Sequence, residues 1–200
     1  MPESVDGPPL RLFVAIELPE PVLAALGDVQ DQLRAHRLEG LRWTRPEGVH
    51  LTLKFLGETP AVRLGDIEAA VASAVDGRTA FRLALGAAGT FGSRGRPRVV
   101  WIDLEGEVEE LRRLQLAVEA ALVAIGFPAE EREFSPHLTL ARVRQPPPRE
   151  LAERLTAALA EVSTPEMEFE AKEVSLMRSE LGPGGAVYTR LAAFPLTEAR

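Results

Sequence analysis

The chain has 200 residues, of which 46% are hydrophobic and 26% charged, a composition typical of one compact folded unit. It contains no cysteine, which excludes disulfides, thiolate metal sites and cysteine nucleophiles and favours the cytoplasm. The formal charge of −7 argues against a surface that wraps long nucleic acid but is compatible with a local basic site.

The first half of the chain predicts a strand followed by alternating helices and strands. An apolar run ends at Pro19 and Pro21, which suit the first turn of a helix, and apolar side chains then recur at helical spacing. Residues 1–9 are expected to form a flexible tail, and no apolar run is long enough to span a bilayer. The predicted elements are strand 11–18, helix 22–37, strand 49–56, helix 62–75 and strands 81–85 and 99–104.

The second half of the chain repeats this order of elements. We predict helix 111–125, strand 134–143, helix 151–162 and strands 168–177 and 186–194. The repetition indicates one bilobal domain over residues 10–200, made of duplicated units at about 20–104 and 107–194. The expected fold class is α+β, with two pseudo-symmetric lobes, each a small, mainly antiparallel sheet with helices on its outer face, enclosing a central cleft.

The same tetrapeptide, His-Leu-Thr-Leu, occurs once in each unit, at residues 50–53 and 137–140. These motifs contain two of the three histidines of the chain. Side chains alternate along a strand, so the two Leu of each motif are expected in the core while His and Thr project from the other face. If a pseudo-two-fold axis relates the lobes, two imidazoles and two hydroxyls face each other in the cleft.

Two facing imidazoles suit general acid and base chemistry. One ring, of His50 or His137, can take a proton while the other gives one, because a pKa near ~6.5 allows both forms around neutrality. The hydroxyls of Thr52 and Thr139 can donate to phosphoryl oxygens. A purely structural role for these residues is one alternative, and a metal site is another. Two His with no carboxylate on the same predicted face are too few ligands for a catalytic zinc, which normally has three protein ligands, so no metal is expected.

Several segments of the chain resemble the 2H phosphoesterase superfamily and, within it, the LigT-like RNA 2′,3′-cyclic phosphodiesterases, also called 2′-5′ RNA ligases. The resemblance covers nearly the whole chain. It implies a V-shaped cleft, cofactor-free and metal-independent opening of 2′,3′-cyclic phosphates to 2′-phosphates, and reversible 2′-5′ RNA joining in some members. The segments that carry it are 11–16 with Pro19, 43–46, 50–58, 135–142 and the residues Ser179, Leu181, Gly184 and Tyr188.

The resemblance also implies a role for each residue of the predicted site. His50 is the proton donor and His137 the proton acceptor, while Thr52, Thr139 and Arg142 bind the substrate phosphate. Strict alternation from His137 puts Arg142 on the opposite face, so it reaches the phosphate only if the strand ends or bulges there. The implied partners are RNA ends or small nucleotides with a 2′,3′-cyclic phosphate, with no membrane and no obligate protein partner.

Two further features concern contacts with RNA. Alternation from the first motif points Phe55 into the core, which we prefer to stacking on a base. The loop that carries Arg94, Arg96 and Arg98 concentrates positive charge between apolar strands. It is a candidate contact for the RNA backbone and equally a solvated loop.

The leading hypothesis is therefore an RNA-processing hydrolase, an RNA 2′,3′-cyclic phosphodiesterase that needs no cofactor. A different class of function is a non-catalytic module that captures a terminal RNA phosphate, although binding alone does not need a duplicated His. A third alternative within the superfamily is a phosphodiesterase for another cyclic phosphate or for a 2′-5′-linked nucleotide.

Overall fold

The computed structural model describes residues 8–93, 95–145, 150–182 and 185–198. These residues form strands and helices joined by short turns. In chain order the elements are β1 (Leu10–Glu17), α1 (Glu20–Ala35), β2 (Leu41–Trp43), β3 (His50–Thr59), α2 (Leu64–Val75), β4 (Phe81–Ser93), β5 (Arg96–Gly106), α3 (Val108–Ala124), β6 (Leu138–Val143), α4 (Leu151–Glu161), β7 (Glu168–Ala171), β8 (Glu173–Gly182) and β9 (Gly185–Pro195).

The strands form two antiparallel sheets, which we call the first and second sheets. The first sheet has the order β3-β1-β8-β9, and the second has the order β2-β6-β5-β4-β7. The predicted α+β class with two lobes is confirmed. β1 lies inside the first sheet and is buried on both faces, which explains why its residues 12–16 are apolar without alternation.

Each sheet combines strands from both duplicated units. β3 of the first unit lies in the first sheet with the hairpin β8–β9 of the second unit. Conversely, β6 of the second unit lies in the second sheet with the hairpin β4–β5 of the first. The sequence repeat therefore does not divide into one unit per sheet, and the two motif strands exchange places between the sheets.

The helices cover the outer faces, where their apolar stripes join the main core. α3 and α2 pack against the first sheet, at β3 and β9 respectively. α1 packs against the second sheet, where its Gln30 contacts β6, and α4 lies beside the end of α1 through Arg154. A separate small apolar cluster of Phe13, Ala15 and Met177 lies on the inner face of the first sheet. No helix in the described residues is long and apolar enough to cross a membrane.

Some predicted bounds were wrong. The strand expected at 134–143 begins only at Leu138, because Pro136 has no N–H to donate to a ladder. The strand expected at 168–177 is two strands, β7 and β8, in different sheets. The three-residue strand β2 was not predicted. Of the expected tail, only Pro8 and Pro9 fall within the described residues.

Candidate active site

The two His-Leu-Thr-Leu motifs have the alternation that the sequence predicts. Leu51, Leu53, Leu138 and Leu140 are all buried in the main core, while the His and Thr of each motif are half-buried on the inner faces. β3 and β6 belong to different sheets and approach each other where the inner faces meet. The two motifs therefore stand on either side of one cleft.

Both motif histidines are held in the same way by the backbone. His50 Nδ1 lies 2.9 Å from the carbonyl oxygen of Gly48, and His137 Nδ1 lies 2.8 Å from that of Ser135. A carbonyl oxygen only accepts, so Nδ1 carries the hydrogen and donates in each ring. The neutral form of each ring therefore leaves Nε2 without a proton and available to the cleft.

Aromatic rings surround His50. Phe13 stacks on its imidazole at a centroid distance of 4.6 Å, and Tyr188 meets it edge-on at 4.8 Å. On the neighbouring strand, Glu17 pairs with His50 and accepts a 2.7 Å hydrogen bond from Ser175 Oγ. The first sheet thus gives His50 a mainly apolar setting with one carboxylate at its side.

His137 has a comparable setting in the second sheet. Phe91 meets its imidazole edge-on at 4.8 Å, and Phe91 also packs against Trp101 at 4.9 Å. A Cβ atom on Gly89 would lie 2.5 Å from the Trp101 ring, so this position has no room for a side chain. The register pairs Ile102 with Leu138, which puts the next β5 residue, Asp103, beside His137.

Burial decides the protonation of both rings in the free protein. Desolvation lowers the pKa of His50 to about 4, and the nearby positive charges of Arg142 and of a protonated His137 act in the same direction. Desolvation also lowers the pKa of His137, again with help from Arg142. The Gly48 carbonyl and Glu17 act in the opposite direction and raise the pKa of His50. The Ser135 carbonyl and Asp103 likewise raise the pKa of His137. The effect of burial is larger in both rings. Both rings are therefore neutral at pH 7.

A β-bulge brings Arg142 to the cleft. Thr139 pairs with Trp101 but Ala141 pairs with Val100, so Leu140 is an extra residue in β6. The extra residue shifts the alternation by one, and Arg142 emerges on the same face as Thr139. The condition that the strand must bulge for this arginine to face the cleft is met.

An equivalent bulge in β3 makes the prediction for Phe55 wrong. Thr52 pairs with Ala15 but Lys54 pairs with Val14, so Leu53 is the extra residue. Beyond this extra residue, Lys54 points away from the cleft and is only 6% exposed, whereas Phe55 is 63% exposed on the cleft side. Each histidine is thus followed five residues later by a side chain on its own face, Phe55 in the first motif and Arg142 in the second.

The predicted basic loop is described only in part. Arg94 lies outside the described residues, and so does Gly184 of the closing hairpin. Arg96 and Arg98 are exposed at the end of the β4–β5 hairpin, and Val99 next to them pairs with Arg142. Contact between this loop and RNA stays a prediction.

Two residues of the site carried little sequence signal. Phe13 lies within a continuous apolar run, so no pattern marks it as a neighbour of His50. Tyr188 belongs to the closing hairpin of the resemblance, but its contact with a histidine 138 positions away depends on the tertiary fold. Within the described residues no cluster of three or more His, Asp or Glu could hold a metal ion.

Comparison with known proteins identifies the family. The model of the family "LigT like Phosphoesterase" matches twice in succession, over residues 16–101 and 102–188. The chain belongs to this family. The resemblance noted in the sequence is thereby confirmed over most of the chain.

Relatives and solved structures agree with this membership. The chain is 34% identical over 187 residues to an RNA 2′,3′-cyclic phosphodiesterase of Methanothermobacter thermautotrophicus, covering 94% of this chain and 99% of that protein. A crystal structure of a Thermus thermophilus protein matches with a TM-score of 0.77 and 35% identity, over 96% of this chain and 100% of that one. E. coli LigT in complex with 3′-AMP matches with a TM-score of 0.68 and 27% identity, over 94% and 99% respectively.

Proposed function

We propose that this protein hydrolyses 2′,3′-cyclic phosphates at the ends of RNA or of small nucleotides, giving 2′-phosphates. The observation that carries the proposal is a hydrogen bond that occurs in both motifs: each ring is fixed through Nδ1 by a backbone carbonyl, which leaves Nε2 to exchange a proton. A phosphoester needs one proton removed from its nucleophile and one given to its leaving group, which is the work of two such rings. The relative from Methanothermobacter thermautotrophicus is an RNA 2′,3′-cyclic phosphodiesterase.

In the proposed reaction a water molecule attacks the phosphorus while the bond from phosphorus to the 3′-oxygen breaks. Nε2 of His137 accepts the proton of the water, and Nε2 of His50 gives its proton to the departing 3′-oxygen. The products are a 3′-hydroxyl and a 2′-phosphate. A 5′-hydroxyl in place of water would form a 2′-5′ linkage through the same groups in the same roles, which is the joining reaction. In its reverse, the 3′-hydroxyl attacks the phosphorus and the 5′-oxygen departs, which returns the cyclic phosphate.

Charge on the phosphoryl oxygens is stabilised by three groups of this chain. Thr52 and Thr139 lie on the motif faces beside the two rings and have hydroxyls that can donate. Arg142 brings a permanent positive charge to the same face of β6. These groups stabilise the negative charge of the phosphoryl group in the transition state, so the proposal needs no metal ion.

The base of the substrate has an aromatic surface at the cleft. The ring of Phe55 is exposed and lies 6.1 Å from Phe13, which itself stacks on His50. Exposed aromatic faces stack on nucleobases with little sequence preference. We propose that Phe55 contacts the base of the terminal nucleotide.

A bound cyclic phosphate also changes the protonation of the rings. Its negative charge favours the protonated form of each imidazole and raises both pKa values from their lowered positions in the free protein. The complex can therefore hold one protonated and one neutral ring near neutral pH.

The experiment that tests this function is product analysis of a short RNA that ends in a 2′,3′-cyclic phosphate, incubated with the protein in the presence and absence of EDTA. The expected product is the 2′-phosphate in both samples. Unchanged substrate together with measurable binding would show a non-catalytic phosphate-binding module instead. Turnover of a different cyclic or 2′-5′-linked nucleotide, with this RNA left intact, would move the substrate elsewhere in the superfamily.

A further inference from the structure

Two arginines lie directly opposite each other on the inner face of the second sheet. Arg42 on the edge strand β2 pairs with Arg142 on β6, and directly paired residues share a face. The neighbouring residue Trp43 packs on the core side, where Arg34 of α1 lies over its ring, so Arg42 points the other way. The same cross-strand row continues from Arg142 to Val99 and Phe91.

This row belongs to the cleft, since Phe91 at its far end contacts His137. Like charges directly opposite each other in a sheet repel and destabilise it. The chain has 30 acidic residues, yet among the described residues none lies within ion-pair distance of either arginine. Some other arginines do have such partners, as Arg113 has in Glu110. An anionic ligand bound along this row would supply a counter-charge.

We propose that Arg42 binds the phosphodiester on the 5′ side of the terminal nucleotide, so that the site prefers oligonucleotides to mononucleotides. The inference rests on the proposed function and adds a second phosphate site to it. Neighbouring strands lie about 4.8 Å apart, so Arg42 stands one strand further from the histidines than Arg142. Arg142 then binds the reacting phosphate. Arg42 binds the next phosphate along the RNA, where the substrate crosses the edge of the second sheet.

The test compares a nucleoside 2′,3′-cyclic phosphate with a dinucleotide that ends in the same group, using the unaltered protein first. Arg42→Ala should lower kcat/KM for the dinucleotide about tenfold or more and leave the mononucleotide within about twofold. It should also reduce the slope of binding against salt by about one. Arg42→Lys should retain part of the effect, and Arg113→Ala, which removes a surface charge on α3, should change neither substrate.

Equal losses on both substrates, or no loss on either, would overturn the second phosphate site. The proposed function has a separate failure, namely that the unaltered protein turns over neither substrate. Arg42→Ala would also contradict the proposal if it bound the dinucleotide with normal affinity and with the same dependence of affinity on salt as the unaltered protein.

A second and independent observation concerns the two bulges. Nε2 of Gln30, on α1, donates to the carbonyl oxygen of the bulge residue Leu140 at 3.0 Å and to that of Thr44 at 2.8 Å. Nε2 of Gln115, on α3, donates to the carbonyl oxygen of the other bulge residue, Leu53, at 3.4 Å. Both glutamine side chains are buried, and each comes from the first helix of its unit.

We infer that Gln30 and Gln115 are positioning residues, which hold the bulges and thereby turn Arg142 and Phe55 to the cleft. A bulge residue interrupts the regular ladder, and its buried carbonyl needs a donor from elsewhere. Because side chains alternate, a strand that loses the bulge sends the residues after it to the opposite face. The carbonyl oxygen of Leu140 also accepts from the Thr44 N–H at 2.9 Å, so Gln30 gives it a second donor and ties it to the carbonyl of Thr44. Gln115 supplies a donor at the matching place in the other motif strand.

A double-mutant cycle tests this role, which again rests on the proposed activity. Gln30→Met keeps the size of the side chain and removes its donor, and it should lower kcat/KM about tenfold or more, mainly through KM. Because Arg142 helps to lower the pKa of both histidines, the pH of maximum rate should also rise in this variant and in Arg142→Ala. Arg142→Ala and the Gln30→Met, Arg142→Ala double variant should then agree within about twofold, because Gln30 acts through Arg142. Gln32→Met, on the exposed side of the same helix, is the control and should be active.

Full activity in Gln30→Met, or a double variant whose loss is the product of the two single losses, would overturn the positioning role. If Gln30→Met does not fold, the cycle of Gln115→Met with Phe55→Ala measures the same relationship in the first motif. There too, agreement between the double variant and Phe55→Ala supports the inference, and independent losses contradict it.

Discussion

Phe13 stacks on the imidazole of His50 with 4.6 Å between ring centroids, and Phe13 is itself only 2% exposed. One face of the His50 imidazole is therefore closed to water. This contact contributes to the burial that lowers the pKa of His50 to about 4. His137 has a lowered pKa for the same reason, although it has an edge-on ring, Phe91, in place of a stacked one.

The first prediction concerns the pH dependence of kcat/KM, which reports the free protein. The reaction needs one ring protonated and the other neutral. Because both pKa values lie below 6.5, the rate should be bell-shaped with its maximum below pH 6.5 and should fall towards pH 8, where neither ring is protonated. A maximum above pH 7, or a flat profile from pH 5 to 9 with chemistry rate-limiting, would contradict the assignment.

The second prediction separates the roles of the two rings. In a cyclic substrate with sulfur in place of the 3′-oxygen, the leaving group is a thiolate, which departs without a proton because thiol pKa values are near 8.5. His50→Ala lacks the proposed proton donor, so its rate relative to the unaltered protein should be much higher on the sulfur substrate than on the oxygen substrate. His137→Ala should show no such recovery. Rescue of His137→Ala alone would exchange the two roles, and rescue of neither would remove the general acid from the mechanism.

The bulges show where prediction from sequence succeeded and where it stopped. The repeated motif predicted the faces of His50, Thr52, His137 and Thr139, because one repeat per strand is enough to define an alternation. It could not locate Leu53 and Leu140 as extra residues, since a bulge depends on the register with the neighbouring strand and on buried amides from distant helices. Phe55 was therefore assigned to the wrong face.

The exchange of motif strands between the sheets was also beyond local patterns. The order of elements followed from periodicity and from turn residues such as Gly126 and Pro19. Which strand pairs with which depends on long-range packing, and a repeated unit suggests a self-contained lobe as readily as an exchanged one. The short strand β2 shows the same limit: its three residues have no periodicity of their own, yet they hold Arg42 opposite Arg142.

The third prediction concerns the threonine hydroxyls. Thr52→Val and Thr139→Val keep the strand shape but remove a hydrogen bond to a charged oxygen, worth about 1.5 to 3 kcal/mol. Each should lower kcat/KM roughly tenfold to a hundredfold while the pH of maximum rate stays the same. Thr156→Val, on the exposed surface of α4, is the control. Full activity in both cleft variants would leave the repeated threonine without a role in phosphate binding.

The fourth prediction concerns a buried ion pair beside the first bulge. Lys54 Nζ lies 2.7 Å from Glu119 on α3 and donates to the carbonyl oxygen of Pro128 at 2.9 Å. The other oxygen of Glu119 accepts from the Glu130 N–H, so the pair fastens the segment that leads to His137. Lys54→Met leaves a mostly buried carboxylate unpaired and should reduce the free energy of unfolding by about 3 kcal/mol in urea titrations.

The control for this pair is a double variant in which Glu119 is also made apolar. Lys54→Met with Glu119→Leu removes both charges together and should recover much of the lost stability, because no buried charge is left without a partner. If Lys54→Met alone unfolds at the same urea concentration as the unaltered protein, the ion pair does not hold this segment.

The central claim is that His50 and His137 together perform proton transfer on a cyclic phosphate. Its most direct test is the initial rate of 2′-phosphate formation from a short RNA ending in a 2′,3′-cyclic phosphate, measured for the unaltered protein and for His50→Ala and His137→Ala, each shown to be folded by circular dichroism. Because one positioned proton-transfer group is worth about 10²–10⁴-fold, each variant should lose at least about a hundredfold. Near-normal 2′-phosphate formation by either folded variant would contradict the account.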